Sequence, residues 1–144
     1  MKEKTPPSNL ISLLLSVFDQ ECMDVFVYGR EARLLREKIE DSKQVADVFE
    51  QYSQEELRHA DRIAMMLIEY GMQPQWRYTS FETRSSLIEI LADHLKRESS
   101  MYFTYGEILK YIKDPDDKLI IEGIRENESQ HVEKITHLLN HIKK

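Results

Sequence analysis

Cysteine, glycine and proline are scarce in this chain of 144 residues, and each shortage narrows the range of folds and sites. With Cys22 as its one cysteine, the chain has no internal disulfide and cannot build the thiolate cage of an iron–sulfur cluster or of a cysteine-rich zinc site. Glycine and proline number four each. Because these residues punctuate turns, their scarcity favours long helices over a strand-rich fold.

Basic charge and long apolar runs are also lacking. The formal net charge of −6 argues against nucleic acid as a partner and against a basic helix that lies on a membrane surface. No apolar run approaches the roughly 18 residues of a membrane-spanning helix. The short apolar stretch Leu10–Val17 has no charged leader followed by a cleavage site. We therefore expect a cytoplasmic protein that binds neither nucleic acid nor membranes.

Apolar residues recur at steps of three and four in four segments, which predicts four amphipathic helices. Residues 1–7 are polar and contain two prolines, so we expect them to form a flexible lead-in. The predicted buried face of the second helix ends in Ile68 or Tyr70. The predicted helices run from Ser8 or Asn9 to about Glu40, from a cap at Ser42 to Tyr70 with Gly71 as the stop, from Ser85 or Ser86 to the Asp114-Pro115 break, and from that break to near the C-terminus.

The lengths of the connections predict how these helices are joined. Tight turns join the first helix to the second and the third to the fourth, so each pair forms an antiparallel hairpin. Residues 72–83 could span ~40 Å at ~3.3 Å per residue, which is the length of a helix of ~27 residues at ~1.5 Å each. This connection can therefore cross the bundle, with Trp76, Tyr78 and Phe81 packing on its outside. We predict one all-α domain over residues 1–144, a four-helix bundle of two antiparallel hairpins joined by a long crossover.

The two hairpins carry the same arrangement of polar residues. Each copy has a glutamate, a tyrosine seven residues later that a glycine follows, and a Glu-x-x-His pair on the next helix. We interpret the arrangement as an internal duplication. The first copy is Glu21, Tyr28, Gly29, Glu56 and His59, and the second is Glu98, Tyr105, Gly106, Glu128 and His131.

The placement of these residues on predicted buried faces indicates a metal site. Residues three apart share a helix face, so Glu56 and His59 point the same way. A buried carboxylate without a partner is costly, and four together repel one another unless some take up protons. Two divalent cations would balance all four charges. A glutamate from each of two helices with Glu-x-x-His from the other two is the pattern of di-iron and di-manganese bundles. The predicted metal ligands are Glu21, Glu56, His59, Glu98, Glu128 and His131.

The ligand types favour a reactive centre over a structural one. Oxygen and nitrogen ligands without thiolate suit iron, manganese or zinc. Six protein ligands for two ions leave coordination positions open for O₂ or peroxide. Tyr28 and Tyr105 are either core aromatics whose hydroxyls need hydrogen bonds or participants that partner a ligand or donate one electron. His94, four residues before Glu98, is either a packing histidine or an accessory ligand.

With these motifs the chain resembles the ferritin-like superfamily, close to bacterioferritin and rubrerythrin. The resemblance extends from about Ser8 to His141 and implies a di-iron protein. It also implies that Glu56 and Glu128 bridge the two ions, that Glu21 and His59 hold one, and that Glu98 and His131 hold the other. The motifs that carry it are Glu21-x6-Tyr28, Glu56-x-x-His59-Ala60-Asp61-Arg62, Glu98 and Glu128-x-x-His131.

The sequence departs from these families at three points, which bear on haem, on the number of metal ligands and on the electron donor. Bacterioferritins bind haem through a methionine at the position of Leu57, so we expect no haem here. Rubrerythrins have a second glutamate at the position of Leu95, and they carry a four-cysteine rubredoxin domain that this sequence lacks. We therefore expect a six-ligand site and an external electron donor.

The resemblance implies an oxidoreductase that binds two Fe(II) and oxidises them with O₂ or hydrogen peroxide, as a rubrerythrin-like peroxidase or a ferroxidase. Its catalytic residues would be the six ligands with Tyr28 and Tyr105, and we expect a homodimer or a larger homo-oligomer. Two alternatives remain open. The chain could be the subunit of an iron-storage cage, or a structural bundle that holds zinc or manganese without catalysis.

Overall fold

Four α-helices make up most of the computed structural model, which describes residues 8–38, 42–77 and 86–143. No strand occurs in these ranges, in agreement with the predicted all-α class. The predicted lead-in and the linker residues Tyr78 and Phe81 lie outside the described residues. The helices are α1 (Ser8–Lys38), α2 (Lys43–Glu69), α3 (Leu87–Leu109) and α4 (Pro115–Lys143).

Side chains that suit a helix N-terminus begin α3 and α4. The Ser86 hydroxyl accepts a hydrogen bond from the Glu89 backbone N–H at 3.3 Å, which satisfies one of the free amides of the first turn. In α4 the Asp114 carboxylate accepts from the Asp117 N–H at 3.0 Å. Pro115 occupies the first helical position, where its missing N–H costs nothing. These starts agree with the sequence prediction.

Ser42 precedes α2 as predicted, but its side chain does not cap that helix. Its hydroxyl instead donates to the carbonyl oxygen of Leu35 in α1 at 2.7 Å. Ser42 therefore ties the end of one helix to the start of the next across the tight turn.

Gly71 ends α2 with a backbone angle φ of +86°. This left-handed conformation lets the Gly71 N–H donate to the Ile68 carbonyl and the Met72 N–H donate to the Leu67 carbonyl, both at 2.9 Å. These bonds satisfy carbonyls that have no partner inside the helix. The predicted stop at Gly71 is thus explained by backbone geometry.

Replacing Gly71 with alanine is expected to lower the free energy of unfolding by about 1 kcal/mol, because a side chain is disfavoured at positive φ. The matched control is Gly123→Ala on the exposed face of α4, where no atom lies within 4 Å of the added Cβ. The control should be neutral or stabilising, since alanine favours helices. Thermal unfolding of both variants checks the difference. Equal unfolding midpoints would show that the turn does not require glycine.

Contacts between residues divide the chain into two compact units. Unit 1 contains α1 from Leu14 onward and α2, and unit 2 contains α3 and α4 together with the start of α1 up to Leu13. The single domain over residues 1–144 stays a prediction.

The helices of unit 1 run antiparallel, as the order of their contacts shows. Glu21 contacts His59 in the second half of α2, Val25 contacts Ser53 six residues earlier, and Arg36 forms an ion pair with Asp47 near the start of α2. Later residues of α1 therefore contact earlier residues of α2, which is the order of an antiparallel pair.

Unit 2 repeats this antiparallel order. Glu98 contacts His131, and Tyr102, one turn further along α3, contacts Arg125, which lies earlier in α4. Each unit thus contains the antiparallel helix pair of one of the two hairpins that the short connections predict.

Aromatic rings fill the part of unit 1 next to the predicted metal ligands. The ring of Tyr28 meets Phe49 edge to face at 4.9 Å between centroids and Tyr52 at 5.7 Å, contacts worth ~0.5–1.5 kcal/mol each. Beyond α2, Trp76 packs edge to face against Phe18 and Phe26 of α1. The first part of the predicted linker is therefore held against α1 by an aromatic contact.

Most residues of the predicted buried faces are buried, with small errors at helix ends. In α2, Ile68 is 50% exposed while Leu67 is fully buried, so the predicted face was one residue off there. In α3 the last buried residue is Ile108, and the helix ends at Leu109, before the predicted break at Asp114-Pro115. No helix in the described ranges is both long enough and apolar enough to span a membrane.

Candidate metal centre

Unit 1 brings three of the predicted ligands together, and we call Glu21, Glu56 and His59 triad 1. The Nδ1 atom of His59 lies 2.9 Å from Oε2 of Glu21 and 3.1 Å from Oε1 of Glu56. One ligand atom from each residue lies within 4.8 Å of the others. Both glutamates are fully buried and His59 is nearly so. Glu56 and His59 share a face because they lie three residues apart on α2.

Unit 2 holds the equivalent group, triad 2, formed by Glu98, Glu128 and His131. The Nδ1 atom of His131 lies 3.4 Å from Oε2 of Glu98. The ligand atoms of the three residues again lie within 4.8 Å of one another, and all three residues are buried. The duplication in the sequence is therefore a duplication of geometry.

The residues of each triad fit a divalent metal ion. Ligand oxygen and nitrogen atoms lie ~2.0–2.2 Å from such an ion, so two ligands of one ion are at most ~4.4 Å apart, close to the spacing seen here. Two carboxylates and a neutral imidazole carry a formal charge of −2, which one divalent ion balances. Without thiolate, this set suits iron, manganese or zinc rather than the thiophilic metals.

Cys22, next to Glu21, is poorly suited to bind a metal. Burial, and then the negative charges of Asp19 and Glu21, raise the pKa of its thiol to about 12. Because the thiolate is the form that ligates metals, a thiol that stays protonated near neutral pH is a weak ligand.

Tyr28 and Tyr105 are completely buried. The contacts of Tyr28 with Phe49 and Tyr52 agree with the interpretation of this residue as a core aromatic. A role for either tyrosine in chemistry stays a prediction.

His94 is also buried, one turn before Glu98. A guanidinium nitrogen of Arg97 lies 3.2 Å from its Nδ1 atom, so this nitrogen accepts a hydrogen bond. Among the described residues, the groups that could hold a metal do not include His94. The contact with Arg97 favours a packing role.

Sequence reasoning missed several polar residues close to the triads. Asp24 is buried on α1 and accepts a hydrogen bond from Gln20 at 3.1 Å, and the spacing of four residues was an available signal. Ser53 and Arg125 donate hydrogen bonds to the facing helix of their own unit. The two residues share a position, three residues before Glu56 and before Glu128, but serine and arginine are too dissimilar for that position to signal a common role.

Comparison with known proteins shows the family of this chain. The profile of the rubrerythrin family matches residues 13–139. The chain belongs to the rubrerythrin family. No curated protein sequence matches this rubrerythrin-family chain.

Two solved bacterioferritins are similar to this member of the rubrerythrin family. The Desulfovibrio desulfuricans protein, whose structure shows a diiron site in different catalytic states, has a TM-score of 0.82 and 22% identity over 94% of this chain and 81% of its own. The Rhodobacter capsulatus protein, with a metal-free dinuclear site and haem iron, has a TM-score of 0.84 and 20% identity over 97% of this chain and 89% of its own. At these identities the likeness shows the fold, a ferritin-like four-helix bundle.

Proposed function

We propose that triads 1 and 2 together bind two Fe(II) ions and that the protein oxidises them with hydrogen peroxide or O₂. The observation that carries this proposal is the duplication itself. Each unit buries two carboxylates around one imidazole nitrogen, with the same residue types and the same Glu-x-x-His spacing. Membership of the rubrerythrin family supports iron as the metal.

The four glutamate ligands would have two different roles. Glu21 and Glu98 would each hold one ion, while Glu56 and Glu128 would be shared between the two. Four carboxylates balance the charge of two divalent ions, and burial keeps bulk water from competing for them. The Nδ1 atoms of His59 and His131 would complete the two shells as neutral donors. In each triad this nitrogen faces a carboxylate that would share its ion.

When bound, two Fe(II) ions supply the two electrons that reduce one hydrogen peroxide to two waters, with two protons taken from solvent. The chain's contribution is to hold two reductants side by side, so that the oxidant meets both at once. Six protein ligands leave positions at which the oxidant can approach.

We further propose that an external electron donor returns the iron to the ferrous state between turnovers. The protein would work in the cytoplasm as a homodimer or larger homo-oligomer. Haem is not part of the proposal, because Leu57 stands where bacterioferritins have their haem methionine.

An anaerobic titration of metal-free protein with Fe(II), followed by separate pulses of O₂ and of hydrogen peroxide, tests this function. We expect saturation at two ions per chain and oxidation at least tenfold faster than that of free iron. The faster oxidant identifies the activity. Oxidation no faster than that of free iron would favour the alternative of a structural bundle that holds zinc or manganese without catalysis. A solution mass of roughly two dozen subunits with iron retained after oxidation would favour storage.

A further inference from the structure

Among the described residues, each unit has a hydrogen bond between its helices about one helical turn from the proposed metal ligands. In unit 1 the Ser53 hydroxyl donates to the Val25 carbonyl at 2.7 Å. In unit 2 the Arg125 Nε–H donates to the Tyr102 carbonyl at 3.1 Å. Both bonds reach from a side chain of the second helix to the backbone of the first.

These two bonds occupy equivalent places in the duplication. Ser53 lies three residues before Glu56, and Arg125 lies three residues before Glu128. The acceptor carbonyls belong to the residues four positions after Glu21 and Glu98. Each bond is therefore about one helical turn from the ligands on both helices. Serine and arginine are chemically different, and the feature they share here is a hydrogen-bond donor.

A glycine lies against the donor in each unit, and in unit 2 the glycine makes room for it. A Cβ atom on Gly29 would lie 3.4 Å from the Ser53 hydroxyl, whereas a Cβ on Gly106 would lie 2.7 Å from a terminal nitrogen of Arg125 and 3.0 Å from its Cζ. The Arg125 guanidinium also lies over the ring of Tyr102, at 4.0 Å from the centroid. Steric contact with Arg125 thus explains the glycine at Gly106, whereas a Cβ on Gly29 would make only an ordinary van der Waals contact.

We infer that Ser53 and Arg125 are positioning residues, which set the register of each helix pair so that the ligands of each triad converge. This inference rests on the proposed function. A slip of one residue along a helix moves a ligand by ~1.5 Å, whereas metal–ligand distances tolerate only about ±0.2 Å. Apolar packing is less directional than a hydrogen bond to a fixed carbonyl. Each hydrogen bond therefore fixes the register of the two helices close to the ligands, where a small shift of one helix changes the metal–ligand distances.

Unit 2 allows the sharper test, because Gly106→Ala should push the guanidinium away without rebuilding the helix. The atoms that clash belong to the end of a flexible side chain. Alanine also favours helices, so the thermal unfolding midpoint should stay level or rise. Co(II) affinity at triad 2 should nevertheless fall by roughly 10- to 100-fold, the usual effect of losing a residue that orients a ligand. Stability and affinity would then move in different directions.

The measurement is a competitive Co(II) titration of metal-free full-length protein, followed through the visible absorption of the bound ion. The variant His131→Ala identifies the binding event that belongs to triad 2. Gly123→Ala is the control, since it makes the same exchange in the same unit and touches nothing within 4 Å. It should bind Co(II) as the wild type does.

Arg125→Ala separates positioning from charge. If the guanidinium acted only as a nearby cation, its removal would tighten Co(II) binding, because repulsion is lost. Positioning requires the opposite, a 10- to 100-fold loss, with partial recovery in Arg125→Lys, which keeps a donor. Adding Gly106→Ala to Arg125→Ala should have no further effect.

Wild-type affinity in both Gly106→Ala and Arg125→Ala, or tighter binding in Arg125→Ala, overturns the positioning role and leaves the proposed function intact. Failure of the wild type to bind two Co(II) per chain overturns both. In unit 1, Ser53→Ala should weaken the event that His59→Ala identifies, by a similar factor.

Discussion

Replacing Glu128 with glutamine is expected to weaken metal binding by more than about 100-fold, the upper range for residues that only orient a ligand. The side chain keeps its size and loses its charge, so the fully buried site loses one of four carboxylates. Because Glu128 is proposed to bridge both ions, uptake of the pair should fail rather than uptake of one ion. Glu56→Gln should behave in the same way, since Glu56 occupies the equivalent place in triad 1. Anaerobic equilibrium dialysis with Fe(II) measures this loss.

The matched control is Glu126→Gln, an identical exchange two residues earlier on α4 at an exposed position. It should bind two ions with wild-type affinity. Binding of two ions by Glu128→Gln with unchanged affinity would rule out Glu128 as a bridge. Loss of a single ion, with the other retained, would assign Glu128 to one ion alone.

Metal removal is expected to lower the thermal unfolding midpoint by at least roughly 15 °C, the value that follows for a single bound ion. A ligand that binds only the native state stabilises it by ~4 kcal/mol at a free concentration ~1,000-fold above its dissociation constant. For a chain of this length each kcal/mol corresponds to ~4 °C. The triads supply ligands from two helices each, and no unfolded chain presents them together. Calorimetry of the apo protein and of the metal-loaded protein measures the shift.

The Glu128→Gln variant is the control for this second prediction, and its unfolding midpoint should barely respond to metal. An equal metal-induced rise in that variant would show that the ions stabilise the protein elsewhere. The exposed histidines His137 and His141 of α4 would then be the first alternative to examine.

Much of the fold could be predicted because local chemistry controls it. Helix starts at Ser86 and Pro115 and the stop at Gly71 depend on backbone groups within a few residues. The errors lie where tertiary packing decides. Whether Ile68 or Leu67 faces the core depends on the last turn of α2, and Ser42 bonds to Leu35 rather than to its own helix. Neither outcome is encoded in periodicity alone.

The triads could be predicted for a different reason. A charged residue in an apolar face must have a partner, and the duplication repeats this requirement in the second hairpin. The hydrogen bonds of Ser53 and Arg125 could not be predicted in this way. Serine and arginine are chemically dissimilar and half-buried, and their partners are backbone carbonyls, which leave no mark in the sequence. Only the structure shows that the two side chains donate equivalent hydrogen bonds to the facing helix.

The central claim is that six residues from four helices hold two metal ions. Anomalous diffraction at the iron edge, from crystals loaded anaerobically with Fe(II), tests it most directly. The account predicts two anomalous peaks per chain, one at ~2.0–2.2 Å from Nδ1 of His59 and the other at the same distance from Nδ1 of His131. Peaks confined to surface residues, or a single peak bound by one triad with the other triad empty at saturating iron, would contradict it.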